Sequence, residues 1–147
     1  MLYKSRESKG FLLIGMVFAM CAAYKKVTEY ISHTDDVLWD FEVVTDDLFF
    51  NVNRIHPLKQ DDVAKLVRCI RSDTQVAGLI VFGSAVRFDC HSGSDIDILV
   101  IRDDDKQILN CNLSEVKSNL DIIFHTKLGV RLADEIARTG VVVYERG

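Results

Sequence analysis

Two aspartates one residue apart, Asp95-Ile96-Asp97, open the apolar run Ile98-Leu99-Val100-Ile101. Alternation along a strand points both carboxylates to one face. Charges placed this way repel unless a cation lies between them, and an all-oxygen donor pair suits Mg²⁺ or Mn²⁺. A third aspartate, Asp121, sits between Leu120 and Ile122 in another short apolar run. If the two runs are neighbouring strands, Asp95, Asp97 and Asp121 can hold two metal ions about 3.5–4 Å apart, the arrangement used for in-line phosphoryl or nucleotidyl transfer. Upstream, Gly83-Ser84 closes the apolar run Gly78–Phe82. Glycine at a strand end lets backbone N–H groups approach a phosphate, and the N-terminus of a following helix favours negative charge. The Ser84 hydroxyl adds a hydrogen bond, and Arg87, one turn on, reaches phosphate oxygens through its planar fork.

These residues need a scaffold, and the patterning supplies one. Residues 9–31 read as one long helix. Residues 35–50 read as a second, with Val37, Leu38, Phe41, Val44, Leu48 and Phe49 near helical spacing and Thr34 or Asp35 as its cap. The stretch 51–60 holds the one proline, Pro57, and is the best domain boundary. It is followed by an amphipathic helix through Val63, Leu66, Val67 and Ile70, with Asp61 and Asp62 at its start and Arg68 and Arg71 near its end, as the helix dipole favours. Strands are predicted over 78–82, 95–101 and 120–124. Asp103 to Asp105 reads as a solvated turn, and some helix is expected within 106–118. Thr126 is the expected cap of a last helix carrying Leu128, Leu132 and Ile136, closed by Gly140 at its C′ position, before a terminal β segment at 141–144. The fold class is α/β, a small mixed sheet flanked by helices. Residues 1–55 form a helical N-terminal extension and 56–147 the domain that bears the chemistry.

Composition frames this reading. The chain has 147 residues, of which 48% are hydrophobic and 27% charged, which is enough apolar material for a packed core. A net charge of −4 gives no strong nucleic-acid signal. The four cysteines, Cys21, Cys69, Cys90 and Cys111, are widely spaced with no C-x-x-C pair, and read as free thiols of a reducing cytoplasm. Lys4, Arg6 and Lys9 ahead of the apolar stretch Phe11–Tyr24 imitate a signal peptide. That stretch is short for a membrane span, and its apolar pattern continues through Val27, Tyr30 and Ile31. The preferred reading is therefore a cytoplasmic protein whose N-terminal helices are buried or face a partner, including a second copy of the chain.

Gly83-Ser84, ten residues, then Asp95-x-Asp97 matches the G-S-x(10)-D-x-D signature of minimal nucleotidyltransferases in the DNA polymerase beta superfamily. The resemblance extends over roughly 60–146. Val81-Phe82-Gly83-Ser84-Ala85-Val86-Arg87 resembles the family's strand and phosphate turn, Ser94–Val100 its S-D-I-D-L-L-V strand, and Leu120–Ile123 its third-carboxylate strand. Ile136 through Gly140 to Glu145 is similar to its closing helix and strand. Phe88 stands where the family commonly has glycine, and Val86 where it often has alanine. The resemblance implies that Asp95 and Asp97 bind two Mg²⁺ ions (Mn²⁺ being an alternative) and that Asp121 completes one metal site and orients or deprotonates the acceptor. It implies that Gly83, Ser84 and Arg87 hold the phosphates of ATP. It further implies an antitoxin that transfers AMP to a tyrosine of a HEPN-type toxin. The alternatives are an antibiotic-modifying enzyme, a tRNA-modifying enzyme and a catalytically idle binding module.

Overall fold

The computed structural model of the chain describes residues 25–147. The expectations placed on residues 1–24, the signal-like segment and most of the long first helix, lie outside the described residues. Two α-helices and four strands form the frame: α1 (Pro57–Ile70), β1 (Val76–Phe82), β2 (Ile96–Arg102), β3 (Leu120–Phe124), α2 (Val130–Thr139) and β4 (Val141–Glu145). The sheet order is β3-β2-β1-β4. β1 runs antiparallel to both β2 and β4, whereas β2 and β3 are parallel. The predicted mixed α/β class is what forms. Among the described residues no helix is long and apolar enough to cross a membrane.

Alternation sorts the apolar side chains of the sheet into two cores. Leu79, Val81, Ile96, Ile98, Val100, Val141 and Val143 face α1, where Val63, Leu66, Val67 and Ile70 cover them. Ile80, Phe82, Leu99, Ile101 and Val142 face Ile136 and Leu132 of α2, together with Val27. The central strands β1 and β2 are thus buried on both sides, which explains why their sequences are nearly continuous apolar runs. Helix α1 begins earlier than its apolar pattern suggests. Pro57 occupies its first turn, and His56 caps it by accepting the Leu58 N–H at Nδ1, 3.1 Å. Asp61 and Asp62 therefore lie inside the helix and not at its start.

Several sequence expectations are overturned, and the two missing helices within 35–50 and 106–118 share one cause, side chains elsewhere that take up the backbone's hydrogen bonds. Residues 35–50 form a 3₁₀ turn at Asp35–Val37 and otherwise irregular chain, not a second helix. The buried amide of Gln60 captures that backbone: Oε1 accepts from Val44 N (2.8 Å) and Thr45 N (3.3 Å), while Nε2 donates to Glu42 O (2.9 Å) and Ile55 O (3.0 Å). The described end of the first predicted helix is a 3₁₀ turn, Val27–Tyr30. Val27 is buried there against Gly78, where any Cβ would collide with it.

The crossover 103–119 between the parallel strands contains no helix. Such crossovers are usually helical, but here buried side chains replace the helical hydrogen bonds. Asp73 accepts from Asn110 N (2.9 Å), Arg102 donates to Ile108 O (2.8 Å), and Asp62 accepts from Lys117 N (3.0 Å) and Ser118 N (2.8 Å). Asp104, read as part of a solvated turn, grips Arg102 through two bonds of 2.6 and 2.9 Å, and the Arg102 fork holds its carboxyl at about 2.

Two further corrections concern caps and cysteines. Thr126 lies in a 3₁₀ turn, His125–Lys127, and α2 starts after Gly129, so Thr126 caps nothing. Gly140 ends α2 in extended geometry (φ −68°) and not in the left-handed form. Cys69 of α1 and Cys111 of the crossover form a disulfide with Cα atoms 5.6 Å apart, against the expectation of free thiols; Cys90 is free and buried.

Arg102 and Asp73 are buried to 1% and 2% side-chain exposure and meet at 3.1 Å. Removing one partner strands the other's charge in the core. Asp73→Ala is therefore expected to destabilise the fold by about 3 kcal/mol, read as a lowered urea midpoint at neutral pH. An unchanged midpoint would remove this pair from the list of stabilising contacts.

Candidate active site

The site lies where β1 ends and where β2 and β3 begin. In the antiparallel register Phe82 pairs with Asp97, and in the parallel register Asp97 pairs with Asp121. Asp97 is two residues from Leu99 and Asp121 two from Ile123, so both carboxylates share the sheet face on which α2 packs. β2 and β3 are neighbours, and their pairing brings Asp97 and Asp121 side by side. Asp95 precedes β2 by one residue and is exposed. Among the described residues no three acidic, imidazole or thiol groups converge into a preformed metal cage.

The electrostatics follow from this placement. Burial pushes the Asp97 carboxyl up to about 6, reinforced by the charge and hydrogen bond of Asp121 and by the charges of Glu135 and Asp95. Glu135 on α2 is a fourth acidic group of the site that sequence reading missed. It precedes the buried Ile136 by one residue, and nothing in its local pattern separates it from an ordinary surface glutamate. The donor set fits a divalent cation. The paired Asp97 and Asp121 carboxylates, with Asp95 and Glu135 close by, are all hard oxygen donors, and a doubly charged ion would offset both the burial and the mutual repulsion that raise Asp97.

Gly83 is fixed by two independent constraints. Its φ is +76°, in the left-handed region, and a Cβ there would land on Asp97 Oδ2. The turn therefore sits against the Asp97 carboxylate. The residues after it form one 3₁₀ turn, Gly83–Val86, and not the helix that the sequence suggests. A helix dipole consequently contributes nothing here, and what remains for an anion is local backbone, the Ser84 hydroxyl and Arg87. Ser84 Oγ reaches Asp95 O at 3.4 Å, and exposed Arg87 touches Asp89 at 3.3 Å. An exposed pair of that kind is weak enough to yield to a phosphate. Phe88 packs against Trp39 in a tilted pair with ring centroids 4.8 Å apart, both residues being at least half exposed.

The raised value at Asp97 gives the free protein a signed pH dependence. A carboxyl that holds its proton more tightly in the folded than in the unfolded chain stabilises the fold below the unfolded value, about 3.9. That contribution disappears as pH rises through about 6. In EDTA the protein is expected to lose thermal stability between those two values, and Asp97→Asn to flatten that stretch and melt above wild type near pH 7.5. The Mg²⁺ concentration needed to restore stability should increase as pH falls below 6, because the ion takes the deprotonated pair. Melting curves across this range decide it, and an Asp97→Asn profile parallel to wild type would overturn the assignment.

Comparison with known proteins gives the family. Residues 64–147 match the family model described as "Polymerase beta, Nucleotidyltransferase". Among solved structures, the chain is similar to one from a crystal structure of a mutant of the toxin–antitoxin pair MntA-HpeT, at 21% identity with a TM-score of 0.46. That match covers 58% of this chain and 73% of the other. It is also similar to a candidate nucleotidyltransferase of Sulfolobus solfataricus, at 26% identity with a TM-score of 0.36, covering 60% of this chain and 80% of that one. No curated protein matches the sequence. The matched span exceeds half of the chain and contains Gly83, Ser84, Arg87, Asp95, Asp97, Asp121 and Glu135, so the chain belongs to the polymerase beta nucleotidyltransferase family.

Proposed function

We propose that this chain transfers AMP from ATP to a hydroxyl acceptor, and that the acceptor is a tyrosine of a HEPN-type toxin that the chain silences. The observation that carries the transfer reaction is the Asp97–Asp121 carboxylate pair in register beside the left-handed Gly83 turn. The acceptor class comes from the sequence resemblance to antitoxin-type minimal nucleotidyltransferases. Asp95, Asp97 and Asp121 are the residues that would hold Mg²⁺, and bound divalent ions would neutralise charge on the phosphate oxygens during transfer.

The chain's own groups do the rest. Gly83 offers bare backbone and Ser84 its hydroxyl to the terminal phosphates, while Arg87 exchanges Asp89 for a phosphate oxygen. That anchoring turns the α-phosphorus toward the acceptor, and positioning of this kind supplies much of the rate. The acceptor oxygen forms a bond to the α-phosphorus and the α–β bridging P–O bond breaks. Pyrophosphate departs with the electron pair, and the acceptor's proton passes to a carboxylate oxygen of Asp121.

Incubation with α-labelled ATP, Mg²⁺ and a candidate toxin should carry label into the toxin. Asp121→Ala should lower transfer by at least about 100-fold, within the range removed with a catalytic proton acceptor, while retaining measurable nucleotide binding. Ser84→Ala should cost far less, since one neutral hydrogen bond is worth about 1 kcal/mol. Label found only on an aminoglycoside or an RNA would replace the acceptor assignment. Bound ATP with no labelled acceptor of any class would support an idle binding module instead.

A further inference from the structure

Asp95 and Asp121 enter the site from segments that lack regular structure, 87–95 and 103–119, so something other than strand pairing must set where those segments arrive. One buried cation touches both. Lys59, in the first turn of α1 and 1% exposed, donates through Nζ to Ser92 O (3.2 Å) and to Ser118 Oγ (2.9 Å). Ser118 Oγ in turn donates to Asp62 Oδ2 at 2.6 Å, and Asp62 takes the backbone N–H groups of Lys117 and Ser118. The two anchor points are equivalent in sequence: Ser92 lies three residues before Asp95, and Ser118 three before Asp121. Just beyond them Ile96 N donates to Asn119 O (2.9 Å), the first rung between the approaching segments.

We propose that Lys59, through Ser92 and through Ser118 with Asp62, is a positioning clamp that fixes the segments leading into β2 and β3, and with them Asp95 relative to the strand-paired Asp97 and Asp121, and so sets the affinity for the metal–nucleotide complex. The proposal rests on reading Asp95, Asp97 and Asp121 as the metal and phosphate site. Burying an ammonium is costly, and core packing alone would be served as well by an apolar side chain of similar length. What an apolar side chain cannot do is hold two loops from one point, and a lysine on a long stem with several donors can. Asp62 completes the arrangement as an anion. Its burial opposes ionisation, but the hydrogen bonds from Ser118 Oγ and the two backbone N–H groups outweigh that and keep its carboxyl below the ordinary range. The clamp touches no substrate; it acts through the carboxylates, as groups behind metal ligands do.

The test is a titration of the full chain with Mn²⁺ and a non-hydrolysable ATP analogue, run well below each variant's melting temperature. Lys59→Met should weaken Mn²⁺–nucleotide binding by on the order of tenfold or more, with transfer recovering toward the wild-type rate at saturating Mn²⁺. Ser118→Ala removes one hydroxyl and leaves the backbone bonds to Asp62, and should weaken binding by roughly threefold to tenfold. Ile70→Val, on the same helix but in the core, should leave the affinity unchanged, which separates positioning from general loss of stability. If Lys59→Met does not fold, Ser118→Ala decides alone. Wild-type affinity in both clamp variants, or equal weakening by Ile70→Val, would overturn the clamp while leaving the site intact. A wild-type chain that binds no Mn²⁺–nucleotide would overturn the reading of the site, and the clamp with it.

Discussion

Asp97 and Asp121 stand opposite each other across a parallel strand pair, and two carboxylates held side by side repel. Left to themselves they would separate. The ladder from Ile96–Leu120 to Val100–Phe124 prevents it, because slipping either strand would carry its apolar side chains off the cores they fill. The core thus enforces a juxtaposition that local electrostatics opposes. A shared proton is one way to relieve it and a divalent ion is the other. Gly83 belongs to the same constraint, since the Asp97 carboxylate fills the space that any side chain there would need.

Holding β3 in register is harder than holding β2. β3 is a short edge strand, and the crossover that delivers it carries no helix of its own to pack on the sheet. Buried polar groups of the frame take on that work. Asp73 and Arg102 hold the start of the crossover, the Cys69–Cys111 disulfide its middle, and Asp62 with Lys59 its end. Asp73, Arg102 and Asp62 satisfy backbone of the crossover that a helix would otherwise satisfy internally. The same device, through Gln60, fastens residues 42–45. Helix α1 is therefore amphipathic in an unusual sense: its apolar face covers the sheet, and polar residues of its first two turns dictate the path of two irregular segments.

That arrangement explains what could be read from the sequence. The strands at 76–82, 96–102 and 120–124 were legible because apolar runs bounded by Gly83 and the aspartates admit few other interpretations. The carboxylate pair was legible because a charge between Leu120 and Ile122 needs a reason. The absence of helix in 35–50 and 106–118 was not, because its cause lies in side chains elsewhere in the chain. Gln60 reads as the end of a boundary stretch and Asp62 as a favourable charge near a helix start. Lys59 carries no mark of burial, and Glu135 none of its place beside Asp97. The pairing of Cys69 with Cys111 likewise depends on the crossover lying against α1, which spacing alone does not reveal.

The N-terminal part of the described chain is coupled to the Gly83 turn although the family match begins only at residue 64. His56 N donates to Ala85 O at 2.8 Å, which ties the start of α1 to the turn after Gly83. Trp39 lies on Phe88 a few residues further along, and Arg54 secures the backbone of residues 38 and 39. Phe88 occupies a place where the family resemblance leads one to expect glycine. A phenylalanine there without a partner would leave a large apolar ring in water beside the Gly83 turn, and Trp39 gives it contact area. The departure from the family pattern at Phe88 thus meets the segment that precedes the family match, which is tied to the turn after Gly83 through His56 and Trp39.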